Sequence, residues 1–300
     1  MTPLAFSIRR VILANHDGAY ATQDNRARGL AAMADELKAL GYGLKDVKNL
    51  KPAHVNALVA HWKRHDIRDA TIRNRLGWVR WLAIKAGKPG LIPASNSAFG
   101  LASRTPYQGN RARSADADTL ARVSNERIRL ALRLQEAFGL RREEALKLRP
   151  RLADKGDWLQ LKASWCKGGR ARSVPILSDT QRQLLREVAA VTGDGSLIPM
   201  GWSYRAFLQV YKAATRAGGL GKAHGLRHSY AQRRYEALTG APCPACGGRT
   251  ADAMSIADRF IDQEARLTIS AELGHGRIEV TDTYLGRRWA SGHFRKAAAS

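Results

Sequence analysis

His224-Gly225-Leu226-Arg227-His228 is followed, farther along the chain, by Leu273-Gly274-His275 and then by Tyr284. One C-terminal segment thereby holds histidines, an arginine and a tyrosine. Those residue types suit attack on a phosphodiester by a tyrosine hydroxyl, without a metal. A spacing of three puts His224 and Arg227 on one side of a helical turn, so both can address one ligand. His275 and Tyr284 are nine residues apart. On one continuous helix they would point in opposite directions. Gly274 and Gly276 mark a break there, and a short second helix beginning near Glu279 would turn Tyr284 back toward His275. The plainer alternative for Tyr284 is a half-buried tyrosine packed between Val280 and Trp289.

Charge fits an anionic target. Fifty Lys and Arg face 26 Asp and Glu, a formal net charge of +24. Residues 1–103 hold 16 basic and 7 acidic residues, net +9, and residues 104–300 hold 34 and 19, net +15. Both halves are basic, as expected if both touch one polyanion; nucleic acid is the simplest, and general solubility is the bland alternative. Arginine dominates the excess, and its planar fork grips phosphate oxygens in pairs.

Three cysteines, two of them in Cys243-Pro244-Ala245-Cys246, cannot build a disulfide framework. Met1–Arg10 is too short in apolar run for a secretory signal, and no stretch approaches ~18 uninterrupted apolar residues. A cytoplasmic protein with no membrane partner is expected.

Working outward, residues 22–40 read as an amphipathic helix with Leu30, Met33, Leu37 and Leu40 inward, stopping at Gly41-Tyr42-Gly43. A second helix follows Pro52, with Val55, Leu58, Val59 and Trp62 inward. A third, capped by Asp69 or Thr71, runs to Ala86 with Ile72, Leu76, Val79 and Leu82 inward. Its other face carries Arg73, Arg75 and Arg80, either DNA contacts or a solvated face. Residues 87–114 lose periodicity and read as a linker, made basic by Arg104, Arg111 and Arg113. Residues 116–138 are helical, Gly139 is a left-handed stop, and Glu143-Glu144 opens the next helix. Leu159 and Leu161, then Val174 and Ile176, form a β-hairpin with Lys167 beside its turn. Helices are expected at about 178–192, 203–217, 226–239, 252–272 and 279–289.

The ordered set is Gly139-Leu140-Arg141-x-x-Glu144, Lys167-Gly168-Gly169-x-x-x-x-Val174-Pro175, His224-x-x-Arg227-His228, Leu273-Gly274-His275 and Tyr284. In each motif, in order and in spacing, the chain resembles the tyrosine recombinase (phage integrase) family over residues 115–288. The N-terminal helices resemble that family's core-binding domain in general character. Leu50-Lys51-Pro52-Ala53-His54-Val55 and the Thr71-Ile72-Arg73-Asn74-Arg75-Leu76 helix agree with it.

The resemblance implies a mainly α fold with a small antiparallel β-sheet. It implies a helical core-binding, DNA-binding domain with the start of a linker over 1–104, and an α+β catalytic domain with a C-terminal tail over 105–300. It implies Tyr284 as nucleophile, forming a 3′-phosphotyrosyl bond and releasing a 5′-hydroxyl, with neither metal nor ATP. Arg141 and Arg227 would hold the non-bridging oxygens. Lys167 would protonate the departing oxygen, and His224 would handle the tyrosine proton. His275 would bond a non-bridging oxygen. Glu144 would orient Arg141 or His224. Arg142 competes with Arg141 by adjacency, and the family pattern favours Arg141. His228 competes with His224 and reads as a residue behind the site.

The expected function is site-specific cutting and rejoining of DNA for integration or excision of a mobile element. The expected assembly is a homotetramer on paired double-stranded sites, with room for an accessory DNA-bending protein. A DNA-binding protein of this fold without catalysis and a topoisomerase of the same chemistry are the rivals. Residues 238–252 depart from the commonest family pattern, and their Cys-x-x-Cys is half a zinc site without a second pair. Trp289 and Phe294 are candidate anchors for the tail.

Overall fold

The structure is a computed structural model that describes residues 1–101, 107 and 109–290. Arg104, Phe294 and the tail from 291 lie outside the described residues. The chain divides into two compact units, Met1–Thr105 and Pro106–Ser300.

The first unit is helical: α1 (Pro3–Leu13), α2 (Tyr20–Ala39), α3 (Pro52–Arg64) and α4 (Asp69–Lys85). The last three follow the apolar periodicity, and their inward residues Leu30, Leu37, Leu58, Trp62, Ile72 and Leu76 are each no more than 1% exposed. The sequence reading did not anticipate α1, although Thr2 caps it by accepting from Ala5 N at 3.1 Å, with Pro3 in the first turn. Its Leu4 and Ile8 join the same core.

The second unit begins with α5 (Ala117–Ala121) and α6 (Glu126–Phe138). These replace the single helix expected over 116–138. Asp116 and Asn125 each supply an N-cap, to Thr119 N at 2.8 Å and to Ile128 N at 3.2 Å, so the chain restarts rather than continues. Then come α7 (Arg142–Lys147), α8 (Pro150–Ala153), β1 (Trp158–Leu161) and β2 (Arg172–Pro175). The strands pair antiparallel, Leu159 opposite Val174 and Leu161 opposite Arg172. Their connection is a long loop containing a 3-10 turn at Ala163–Trp165, not a tight hairpin turn.

Helices α9 (Asp179–Thr192), α10 (Tyr204–Ala217), α11 (Gly225–Thr239), α12 (Ile256–Glu272) and α13 (Asp282–Leu285) complete the unit. Among the described residues the fold is mainly helical with one two-stranded antiparallel sheet, as expected. Helices α6 and α11 pack together at the centre, with α12 and α13 against α11. Phe138, Leu134, Leu226, Ile269 and Leu285 are fully buried there.

The helix expected over 279–289 is only a 3-10 turn, Ile278–Thr281, and the four residues of α13. It stops at Gly286, whose φ of 85° leaves the helical region, and a Cβ there would stand 2.6 Å from Ala245 N. The loop holding Cys243 and Cys246 therefore abuts the end of the tyrosine segment. No described helix is long and apolar enough to cross a membrane.

Candidate active site

Helix ends build the site. Helix α6 stops at Gly139, φ 60°, where a Cβ would meet Tyr230 Cδ1 at 2.5 Å. Helix α12 ends in a left-handed turn: Gly274 N bonds Ala271 O and His275 N bonds Ser270 O, both at 2.8 Å. That turn satisfies two terminal carbonyls and leaves those of Glu272 and Leu273. Two arginines take them.

Arg227, on the first turn of α11, is fully buried. Its guanidinium donates to Gly139 O and to Leu273 O, tying the end of α6 to the end of α12. A cation suits both termini, where the carbonyls concentrate negative charge. Its Nε lies 3.4 Å from Tyr284 Oη, and Nη2 lies 3.3 Å from His275 Nε2. His275 Nε2 is itself 3.3 Å from Tyr284 Oη. The break at Gly274 and the short α13 thus return Tyr284 to His275. Tyr284 is buried, with its oxygen on this pair rather than packed idly beside Val280.

The other remaining carbonyl, Glu272 O, accepts from Arg172 Nε at 2.7 Å. Arg172 also grips Glu144 with both terminal nitrogens, at 2.7 and 2.8 Å. Glu144 in turn accepts from Arg141 N at 2.6 Å and from Arg141 Nη1 at 2.8 Å. Glu144 therefore bonds Arg141, not His224. Arg142 points elsewhere, over the Tyr211 ring at 5.9 Å.

Electrostatics follow from this arrangement. Burial alone would raise the Glu144 carboxyl. The hydrogen bonds and charge of Arg172, then those of Arg141, outweigh it and hold the group at about 2. Burial, then the charges of Arg227, Arg141 and Arg172, pushes His275 down to about 3. Burial and Arg227 lower His224 as well. Burial, His224 and Arg111 take His228 to about 4. Burial brings Arg227 to about 10. Neutral histidines among three arginines and one carboxylate make a cluster of net positive potential, suited to a phosphodiester anion.

His224 stands at the N-terminal end of α11 without a side-chain capping bond, its ring 6.1 Å from that of Tyr284. No hydrogen bond joins His224 to the phenol among those described; the histidine at hydrogen-bonding distance is His275. His228 packs on Tyr284, ring centres 4.7 Å apart, with Nδ1 buried and unbonded. Lys167 is exposed in the loop between β1 and β2.

Gln232 and Arg266 escaped the sequence reading. Gln232 Nε2 donates to Tyr284 O at 3.0 Å and to Asn110 Oδ1 at 2.9 Å. Arg266, fully buried, donates to Asp262 at 2.8 Å and to Asp282 at 3.0 Å, fixing the tyrosine segment to α12. A charge on the inward stripe Asp262-Arg266-Ile269-Leu273 was the available signal. The same holds for Arg172, which shares the inward parity of Val174.

The basic residues expected to touch DNA divide in two. Arg73 faces Asp69 at 3.7 Å, and Arg75 bonds Glu36 at 2.9 Å. Arg80 bonds Pro93 O at 2.9 Å and Asn96 Oδ1 at 2.8 Å. All three brace their own unit. Arg111 and Arg113 are exposed on a segment laid beside α11, where Arg113 N donates to Gly225 O at 3.1 Å. A Cβ on Gly225 would collide with Arg111 O at 2.5 Å, so a glycine admits this approach. Among the described residues no three His, Cys, Asp or Glu side chains converge as a metal site. Cys243 is buried and Cys246 exposed.

The model of the phage integrase N-terminal domain matches residues 1–92, and that of the integrase domain matches residues 108–233. The chain belongs to the phage integrase family of tyrosine recombinases. The integrase match ends before His275 and Tyr284, so those two rest on the geometry above. A lambda integrase dimer bound to a COC′ core site superposes with TM-score 0.57 at 19% identity, covering 93% of this chain and 96% of that one. A lambda integrase tetramer bound to a Holliday junction gives 0.57 at 18%, covering 90% and 76%. The Tn1549 transposon integrase in complex with circular intermediate DNA gives 0.58 at 12%, covering 96% of each chain. At these identities the likeness is one of fold. No curated protein matches by sequence.

Proposed function

We propose that this recombinase cuts DNA by in-line attack of Tyr284 Oη on a phosphorus, leaving a 3′-phosphotyrosyl bond and a free 5′-hydroxyl. The covalent bond conserves the phosphodiester energy, so a 5′-hydroxyl from a second strand can rejoin it without ATP. The observation that carries the reading is the convergence of Arg227 Nε and His275 Nε2 on the Tyr284 oxygen, at 3.4 and 3.3 Å.

Arg227 and Arg141 neutralise the non-bridging oxygens as charge builds on phosphorus. Arg141 is suited to this because its side chain keeps 20% exposure while anchored to Glu144. His275 receives the phenol proton. Burial first, then the arginine charges, hold this imidazole near 3; the incoming phosphodiester offsets those charges, making it a better base when substrate arrives. His224 then bonds a non-bridging oxygen, and Lys167 protonates the leaving 5′-oxygen. Arg111 and Arg113 contact the DNA backbone beside the site. The assembly is a tetramer exchanging strands between two duplex sites, as integration or excision of a mobile element requires. Lambda integrase has been captured as a tetramer on a Holliday junction, which supports that assembly.

The test is an adduct assay. The full chain is incubated with nicked duplex fragments of the DNA flanking its gene, in EDTA, and resolved in SDS. A covalent adduct is expected with the wild type and none with Tyr284→Phe. An adduct from the Phe variant refutes the nucleophile, and strict dependence on magnesium refutes the chemistry.

A further inference from the structure

Arg172 sits on β2, with its side chain 5% exposed. Its donors are taken up by Glu144 and by Glu272 O, which neighbour the catalytic Arg141 and His275. Its terminal nitrogens occupy both oxygens of Glu144, at 2.7 and 2.8 Å. This is the two-pronged geometry that only arginine provides. Arg141 shares that carboxylate through a single side-chain bond of 2.8 Å. Two guanidiniums thus compete for one anion. The buried one takes the larger share, so the exposed one keeps donors for a phosphate.

The other end of Arg172 steers His275. Its Nε holds Glu272 O at 2.7 Å, and its Cδ lies 2.8 Å from where a Cβ on Gly274 would stand. The course of Leu273-Gly274-His275 therefore follows the Arg172 side chain.

We propose that Arg172 is a positioning residue that sets the orientation of Arg141 through Glu144 and of His275 through the end of α12. The inference rests on the recombinase reading of this site. Without Arg172 the Glu144 carboxylate draws Arg141 inward, away from the phosphate. An error of that kind, on the order of 1 Å, costs about 100-fold in rate.

The experiment uses the full chain with Arg172→Met and Arg172→Lys, the second keeping the charge and losing the fork. The probe is the nicked duplex that wild-type protein converts to adduct most readily. It is made with either a phosphodiester or a neutral methylphosphonate at the scissile position. Single-turnover adduct rates and duplex affinity are measured. On the phosphodiester both variants are expected to slow by about 100-fold, with affinity within about threefold of wild type. On the methylphosphonate, which carries no charge for Arg141 to neutralise, the deficit should be at least about tenfold smaller. A merely structural lesion would slow both substrates alike. Equal slowing on both substrates overturns the proposal, as does a near wild-type rate on the phosphodiester. Should Arg172→Met not fold, Arg172→Lys alone decides by the same comparison. A wild-type chain that forms no adduct with any duplex overturns the recombinase reading. A wild-type adduct with unimpaired variants overturns this inference alone.

Discussion

Replacing Glu144 by glutamine removes the one negative charge that Arg141 and Arg172 share. Glu144 is fully buried and accepts four hydrogen bonds from those two residues. Its carboxyl stands at about 2 against an ordinary 4.5. At 1.36 kcal/mol per pH unit that difference is worth about 3 kcal/mol to the folded state at neutral pH. The amide also turns an NH2 toward a guanidinium, adding a donor against a donor. Breaking a buried pair from one side costs about 3–5 kcal/mol elsewhere, consistent with this figure.

The sign with pH is definite. Below 4.5 the unfolded chain binds a proton that the folded one refuses, so the wild type loses this stability as pH falls from about 4.5 through about 2. The glutamine variant carries no such proton. Urea unfolding at pH 7 should therefore show the variant about 3 kcal/mol less stable, a midpoint shift of roughly 1 M or more. The gap should narrow steadily at pH 4 and below. Hydrogen exchange over residues 142–147 places the loss in the right helix. A variant within about 1 kcal/mol of wild type at pH 7 would refute the reasoning, as would a gap unchanged between pH 7 and pH 3.

Two further outcomes are expected. His224, His228 and His275 are all depressed by burial before any other cause. The free protein should lose stability as pH falls from about 6.5 toward 4, because the unfolded chain takes up protons that the folded one excludes. Urea midpoints measured with histidine titrations by NMR check this; three imidazoles titrating near 6.5 would contradict it. Gly274→Ala places a Cβ at φ 64° and 2.8 Å from Arg172 Cδ. The left-handed backbone alone costs about 1–2 kcal/mol, so a melting temperature lowered by a few degrees is expected. An adduct rate lowered at least tenfold should accompany it, and an unchanged rate would show that Arg172 and His275 tolerate displacement.

Legibility followed the range of the interaction. Amphipathic periods located α2, α3 and α4, and Gly139 marked a true helix end. These depend on neighbours within a turn or two. Caps were also local, and Asn125 could have split the helix expected over 116–138. Helix α1 is equally local, its start marked by Thr2 and Pro3. What the tyrosine helix packs against at its end was not local at all. It ends where Gly286 meets Ala245, a contact across some forty residues of sequence.

The chemical inventory of this protein was determined by sequence alone. A basic chain with Arg141, Lys167, His224, Arg227, His275 and Tyr284 in that order names a phosphoryl-transfer family, because residue type and spacing survive without coordinates. Only the tertiary structure decided who bonds to whom. His275 rather than His224 meets the phenol, Glu144 serves two arginines, and Arg172, Gln232 and Arg266 hold the parts in place. Arg73, Arg75 and Arg80 brace their own unit. Those facts depend on where helix ends leave carbonyls unsatisfied and on which buried charges must be paired, and both are settled only when distant segments pack.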